Sequence, residues 1–359
     1  MDSRDKSYLS VSLGVAPPPS VVPSKVAVLR RRLSFNEYVE GIFRGDRVVL
    51  AKAITLIESA RPQDNELAQE IIQACLPKAG KSLRIGITGV PGAGKSMFLE
   101  TIGTRLAKEG RKVAVLAVDP SSERSGGSIL GDKTRMEQLS GCENAFIRPS
   151  PSGGTLGGVA RRTRETMILC EAAGFHLIFV ETVGVGQSET LVHGMVDFFL
   201  LLMIAGAGDE LQGIKRGIIE MADMMAINKA EGENLQRAQL ARQEYASALH
   251  MFPPRNDGWV PPVLTCSALT GAGIMDVWET IKSFELQMKE NGSFDANRRR
   301  QRLQWLTQTI KDDLMAEFWN DPQIKERLES VRDQVENGDL YSGRAAGSLV
   351  ALFRNQQYR

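Results

Sequence analysis

A lysine and a hydroxyl stand at the end of a glycine-rich run, GVPGAGKS, from Gly89 to Ser96. The spacing fits G-x-x-x-x-G-K-[ST], and the chemistry it implies is the holding of a polyphosphate. Gly89, Val90, Pro91, Gly92, Ala93 and Gly94 form a loop whose backbone amide hydrogens converge on phosphate oxygens, with Met97 opening the helix that follows. Lys95 reaches the β and γ phosphates, and the Ser96 hydroxyl ligates Mg2+. A chance Lys-Ser after a glycine turn is the bland alternative, and the strand before and helix after argue against it.

Carboxylates further along suit the same chemistry. VAVLAVD ends at Asp119 and LIFVE ends at Glu181, each where a buried strand would deliver it to the C-terminal edge of a parallel sheet. Both can approach one Mg2+ there. Asp132, in GDKTRM, is a third candidate acid, with a helix cap as the equal alternative. In ETVGVGQ, Gly184 falls where a switch segment would meet the γ phosphate through its backbone amide. Gln187 follows, and spacing does not show where its side chain points. The base is read next, from Asn228, Lys229 and Glu231 in MMAINKAEG and from Ser267, Ala268 and Leu269 in TCSAL. These segments resemble the NKxD and SAx guanine-recognition motifs of GTPases. Glutamate replaces the usual aspartate, one methylene longer, so the guanine-over-adenine preference is an open point of the reading.

Seven apolar runs have strand character and alternate with amphipathic segments: LRIGIT, VAVLAV, AFIRP, LIFVET, DFFLLLMIA, MMAIN and VLTCS. Such alternation predicts an α/β fold, a P-loop NTPase with a mostly parallel sheet flanked by helices. Apolar residues at helical spacing from Ser34 to Lys78, closed by Pro77 and Gly80, predict an N-terminal helical extension. A C-terminal helical extension is expected beyond Asp295, with breaks near Pro322 and Gly338. The expected organisation is a disordered Pro- and Ser-containing leader over 1–33, a helical segment over 34–80, a nucleotide domain over 81–290 and a helical dimerisation segment over 291–359.

Composition removes several function classes. With 42% hydrophobic and 24% charged residues and a net charge of +1, the chain reads as an ordinary globular protein without the basic surface that nucleic acid requires. The basic triplets 30–32 and 298–300 are expected to be solvated helix ends. Four dispersed cysteines and three dispersed histidines (His176, His193, His250) offer no zinc spacing, and the cysteines read as small apolar fillers of a reducing compartment. The longest apolar stretch, FFLLLMIAGAG, is too short to span a bilayer and reads as a central strand. The expected compartment is the cytoplasm, or the mitochondrial matrix for a eukaryotic source.

GVPGAGKS, AVDPSS, GDKTRM, PSGGTLGGVA, VETVGVGQSE, GAGDELQGIKRGI and NKA together resemble the MeaB/ArgK group, GTPase chaperones of adenosylcobalamin-dependent methylmalonyl-CoA mutase. The resemblance runs from near Ile42 to the C-terminal tail. It implies a homodimeric GTPase that binds GTP, GDP and Mg2+, and a partner that is methylmalonyl-CoA mutase or a related adenosylcobalamin-dependent mutase. It carries the Mg2+ ligands onto Ser96, Asp119, Asp132 and Glu181. It also makes GAGDELQGIK a third switch loop, with Asp209, Gln212 and Lys215 meeting nucleotide or partner; residues alone would make that loop a helix cap. Lys95, Asp132, Glu181, Gln212 and Lys215 become the expected catalytic set. Other classes weighed were a metal-insertion GTPase, a transport-associated ATPase or kinase, and an assembly subunit that binds GTP without turnover.

Overall fold

The computed structural model describes residues 32–59, 61–118, 136–149, 156–182, 188–206 and 216–356. The leader expected over 1–33 lies outside the described residues but for its last two. In chain order the elements are α1 (Phe35–Phe43), α2 (Arg47–Ile57), α3 (Pro62–Cys75), β1 (Leu83–Gly89), α4 (Lys95–Lys108), β2 (Val113–Val118), α5 (Glu137–Ser140), β3 (Ala145–Arg148), α6 (Leu156–Ala172) and β4 (Leu177–Thr182). There follow α7 (Ser188–His193), β5 (Phe198–Ile204), α8 (Arg216–Met221), β6 (Met224–Asn228), α9 (Leu235–Leu249), β7 (Val263–Thr265), α10 (Ile274–Glu290), α11 (Ser293–Asn320), α12 (Pro322–Glu336) and α13 (Ser342–Gln356).

Each apolar run of the sequence becomes a strand of one sheet, ordered β3-β2-β4-β1-β5-β6-β7 among the described residues. Every pairing is parallel, so the edge strand as well as the centre follows the expected pattern. A sheet covered on both faces needs strands without polar alternation, and β1 is buried along its whole length. Ile85 and Ile87 join Phe98, Leu99 and Ile102 of α4 and Trp278 and Ile281 of α10 in one apolar cluster. Gly86 points the other way, where a Cβ would stand 2.8 Å from Phe199 Cδ2 and 2.9 Å from Val192 Cγ1 of α7. Only glycine lets α7 lie this close to β1.

The winding reverses at β1: the chain moves outward through β2 and β3, returns to place β4 beside β1, then continues through β5 on the other side. A crevice forms at the C-terminal ends of strands where the order reverses, and ligands of open α/β sheets bind there.

The flanking helices are fixed to this sheet by polar links. α2 and α3 pack on α6, Glu58 forms an ion pair with Arg148, and Gln69 Nε2 donates to Glu165 Oε1 at 3.2 Å. α11 crosses the N-terminal edge of the sheet, where the expectation for the 298–300 triplet fails at its first residue while Arg299 and Arg300 are exposed. Arg298 is buried rather than solvated. Its Nε and Nη2 donate to Asp197 at 2.7 and 2.6 Å, and its Nη1 donates to the Gly80 carbonyl at 2.5 Å. The reason is local: Asp197 and the carbonyls of Gly80 and Ser82 converge on a buried edge, and an arginine fork supplies several donors at once. Gln301 and Trp305, one and two turns on, donate to the carbonyls of Val196 and Gly194 at 2.7 and 3.2 Å.

Candidate functional site

β1 delivers the loop, and its backbone explains the glycines. A Cβ on Gly89 would lie 2.1 Å from the Leu202 carbonyl oxygen, so the chain leaves the sheet through a gap only glycine fits. Gly92 and Gly94 have φ of 75° and 85°, and a Cβ on Gly94 would lie 2.8 Å from Asn228 Nδ2. Val90 and Ala93 are buried, while Pro91, Gly92 and Met97 are exposed. Phe98 N donates to the Gly94 carbonyl at 2.8 Å and starts α4 directly beneath the loop.

Lys95 Nζ donates to the carbonyls of Gly89 and Val90 at 3.0 and 3.5 Å. It is thus folded back onto its own loop. Burial pushes its pKa down, against the raising fields of Glu181 and Glu189. Ser96 Oγ donates to Glu181 Oε1 at 3.0 Å, so a hydroxyl and a carboxylate from different elements meet beside the lysine. Glu181 stands opposite Ile87 on β1 and Ala117 on β2. One step further, Thr182 Oγ1 donates to Thr88 Oγ1 at 2.8 Å and ties the strand ends together, a link the sequence reading did not single out. These hard oxygen donors fit Mg2+. Asp119 directly follows Val118, the residue paired with Thr182, and itself lies outside the described residues, as do Asp132, Gly184, Gln187, Asp209, Gln212 and Lys215.

The base-recognition segments are built onto the same loop. Asn228, buried at the end of β6, donates from Nδ2 to the Ala93 carbonyl at 2.7 Å and accepts at Oδ1 from Ala268 N at 3.0 Å. One side chain therefore joins the glycine loop to both guanine-type segments. Thr101 Oγ1 of α4 adds a bond to the Ala268 carbonyl at 2.7 Å, and Ala230 N donates to the Cys266 carbonyl at 3.0 Å. Ser267 is buried and accepts at Oγ from Thr270 N at 3.0 Å, which folds the turn that exposes Leu269. Lys229 has φ of 61°, a conformation rare outside glycine that turns the chain out of the sheet here. Glu231 Oε2 is buried and has no hydrogen-bond partner among the described residues. A buried acceptor without a donor is costly unless a ligand supplies one. Adjacent N–H groups of a guanine edge are donors of that kind.

A phosphate loop joined in this way to a guanine-type pocket, at the reversal point of a parallel sheet, defines the class: a P-loop GTPase. The chain belongs to the MeaB family, matching the description "Methylmalonyl Co-A mutase-associated GTPase MeaB" over residues 50–323. It is 46% identical over 322 residues to the GTPase ArgK of Escherichia coli, covering 90% of this chain and 97% of that one. It is equally 46% identical, over 326 residues, to the mitochondrial methylmalonic aciduria type A homolog of Mus musculus, covering 88% and 79% of the two chains. A crystal structure described as a LAO/AO transport system kinase superposes with a TM-score of 0.71 at 38% identity, covering 90% of this chain and all of that one.

Proposed function

We propose that this GTPase is a chaperone that gates the loading of adenosylcobalamin into methylmalonyl-CoA mutase and protects or repairs that enzyme. The observation that carries the nucleotide half is the pair of hydrogen bonds made by Asn228, which makes the phosphate loop and the base pocket one unit. Support for the mutase half is family membership.

In this reading Lys95 leaves the carbonyls of Gly89 and Val90 for the β and γ phosphate oxygens when GTP enters. The loop amides take the remaining oxygens, and Glu231 accepts from the guanine edge while the Lys229 stem covers the ring. Ser96 and Glu181, joined by Asp119 and Asp132, hold Mg2+, which supplies charge neutralisation on the phosphates. Gly184, Gln212 and Lys215 belong to the switch loops that report the phosphate state to the mutase, and Asp132, Glu181, Gln212 and Lys215 complete the catalytic set with Lys95. Ser267, Ala268 and Leu269 wall the base.

The protein acts as a homodimer through the helical segment 291–359. α11 supports this reading by exposing Leu303, Leu306, Ile310 and Leu314 at helical spacing along one face. The compartment is the cytoplasm; free cysteines, three of the four buried, accord with a reducing site. No helix among the described residues is long and apolar enough to cross a membrane.

The test is turnover of GTP against ATP with Mg2+, with and without the mutase from the same source. Preference for GTP together with faster hydrolysis on adding the mutase is expected. An unchanged rate with the mutase would remove the chaperone reading and leave a GTPase with another client.

A further inference from the structure

One acid beside the phosphate loop has no role so far. Glu189 lies in the first turn of α7, directly after the segment 183–187 in which the switch glycines fall. It is only 2% exposed. Its Oε2 is sealed from solvent and has no hydrogen-bond partner among the described residues. The neighbouring Ser188 Oγ is buried and equally without a partner.

α7 has little freedom to relieve this. One turn beyond Glu189, Val192 presses on Gly86 so closely that a Cβ there would be 2.9 Å from Val192 Cγ1. This packs α7 against the middle of β1, and the Glu189 charge is felt at Lys95, which opens α4 after the loop that β1 delivers. Yet Lys95 spends its hydrogen bonds on Gly89 and Val90. A buried carboxylate with an acceptor idle among the described residues, on a helix packed against β1 and close enough for its charge to act on the phosphate lysine, can take a donor that arrives with the nucleotide.

We propose that Glu189 is a catalytic residue that accepts a hydrogen bond from the water attacking the γ phosphate of GTP. This rests on the reading of the loop as the GTP site. The water oxygen forms the new bond to the γ phosphorus, and the bond from that phosphorus to the β–γ bridging oxygen breaks. Its electron pair stays on the GDP formed, and the proton released by water leaves on inorganic phosphate. Glu189 orients the water and stabilises the positive charge that develops on it. The side chain is not consumed.

The experiment is GTP hydrolysis under single-turnover and steady-state conditions with the full chain, comparing wild type with Glu189→Gln and Glu189→Ala. Equilibrium binding of GDP and of a non-hydrolysable GTP analogue is measured in parallel. The glutamine variant preserves shape and removes charge, so it guards against a simple folding defect. Loss of about 100-fold in kcat is expected for both variants, the order of magnitude of positioned acid–base groups. KM and both binding constants should stay within about threefold of wild type, since a water-orienting group acts on the chemical step and not on ground-state binding. Wild-type kcat in Glu189→Gln would overturn the proposal. So would loss of nucleotide binding in step with loss of kcat, which would make Glu189 a structural counter-charge for Lys95. A wild-type chain that binds GTP without turnover would instead overturn the catalytic reading as a whole.

Discussion

The two edges of the central sheet treat their carboxylates in opposite ways. On the N-terminal edge every buried carboxylate is filled. Glu171 accepts from Ser82, Arg84 and Gly80 N, Asp197 from Arg84 N and Arg298, and Asp223 from Phe199 N and Arg255. Burial pushes the Glu171 carboxyl up, and the Arg84 charge with the Ser82 and Gly80 bonds outweighs it, so the group sits below the usual carboxylate range. On the C-terminal edge Lys95 rests on its own loop carbonyls, while Glu189 and Glu231 each hold an oxygen without a donor among the described residues. Closed electrostatics fasten a fold, and open electrostatics await a ligand. A cavity of about 1060 Å³ opens on the filled edge, lined by His193, Arg255 and Trp259, so concavity alone does not point to the chemistry.

Substitutions on each edge should therefore fail differently. The largest effect is expected for Arg298→Ala, which leaves Asp197 buried without its partner and costs about 3–5 kcal/mol of stability. Urea unfolding should show this while GDP affinity of the folded fraction stays near wild type. Lys95→Ala should do the reverse, lowering kcat for GTP by about 10²–10³-fold while moving the urea midpoint far less than Arg298→Ala, because the charge it removes meets the phosphates in the proposed complex and only loop carbonyls in the free chain. Asn228→Ala sits where the two behaviours meet. It orphans the Ala93 carbonyl and the Ala268 amide, so a loss of about 2 kcal/mol in stability and a weaker grip on guanine should appear together.

The smallest effect is a pH dependence confined to the filled edge. Burial, with the Arg255 and Arg300 charges adding to it, lowers the His193 pKa from 6.5 to about 4. The unfolded chain then binds the proton more tightly. Its contribution is complete above pH 6.5 and is lost as pH falls toward 4. Asp223 runs in the opposite sense: burial raises it to about 6 against the pull of Arg255. Folded protein takes up that proton first, so acid adds stability through this group. The difference between wild type and His193→Gln isolates the histidine. It should shrink by about 2 kcal/mol between pH 7 and pH 4.5 in urea titrations.

Sequence made the open edge far more legible than the filled one. GVPGAGKS, NKAE and TCSAL are short stretches whose spacing is dictated by the ligand they would bind, and they fall on strand ends as the apolar runs demand. Strand order was out of reach, since a parallel sheet is defined by crossovers and not by neighbours in sequence. The bond from Asn228 to Ala93 joins residues 135 apart. No local pattern announces it, although an asparagine ending a buried strand needs partners for both ends of its amide. Arg298 was misread for the same reason: a basic triplet looks solvated until Asp197, brought from 101 residues away, lies beneath it. Glu189, an acid in the first turn of a short helix, carries no sequence signal of its own, and only its burial sets it apart.

The most direct test of the contrast between the edges is calorimetric binding of GDP and ADP, each with Mg2+, to wild type and to Glu231→Ala. GDP should bind wild type at least about 100-fold more tightly than ADP, as expected for a pocket whose idle acceptor needs a donor from the base. That preference should collapse to within a few-fold in Glu231→Ala, with the fold and the filled edge unaffected. Equal binding of GDP and ADP by wild type, or a preference that survives in Glu231→Ala, would contradict the account, because the orphan carboxylate would then have no guanine to meet.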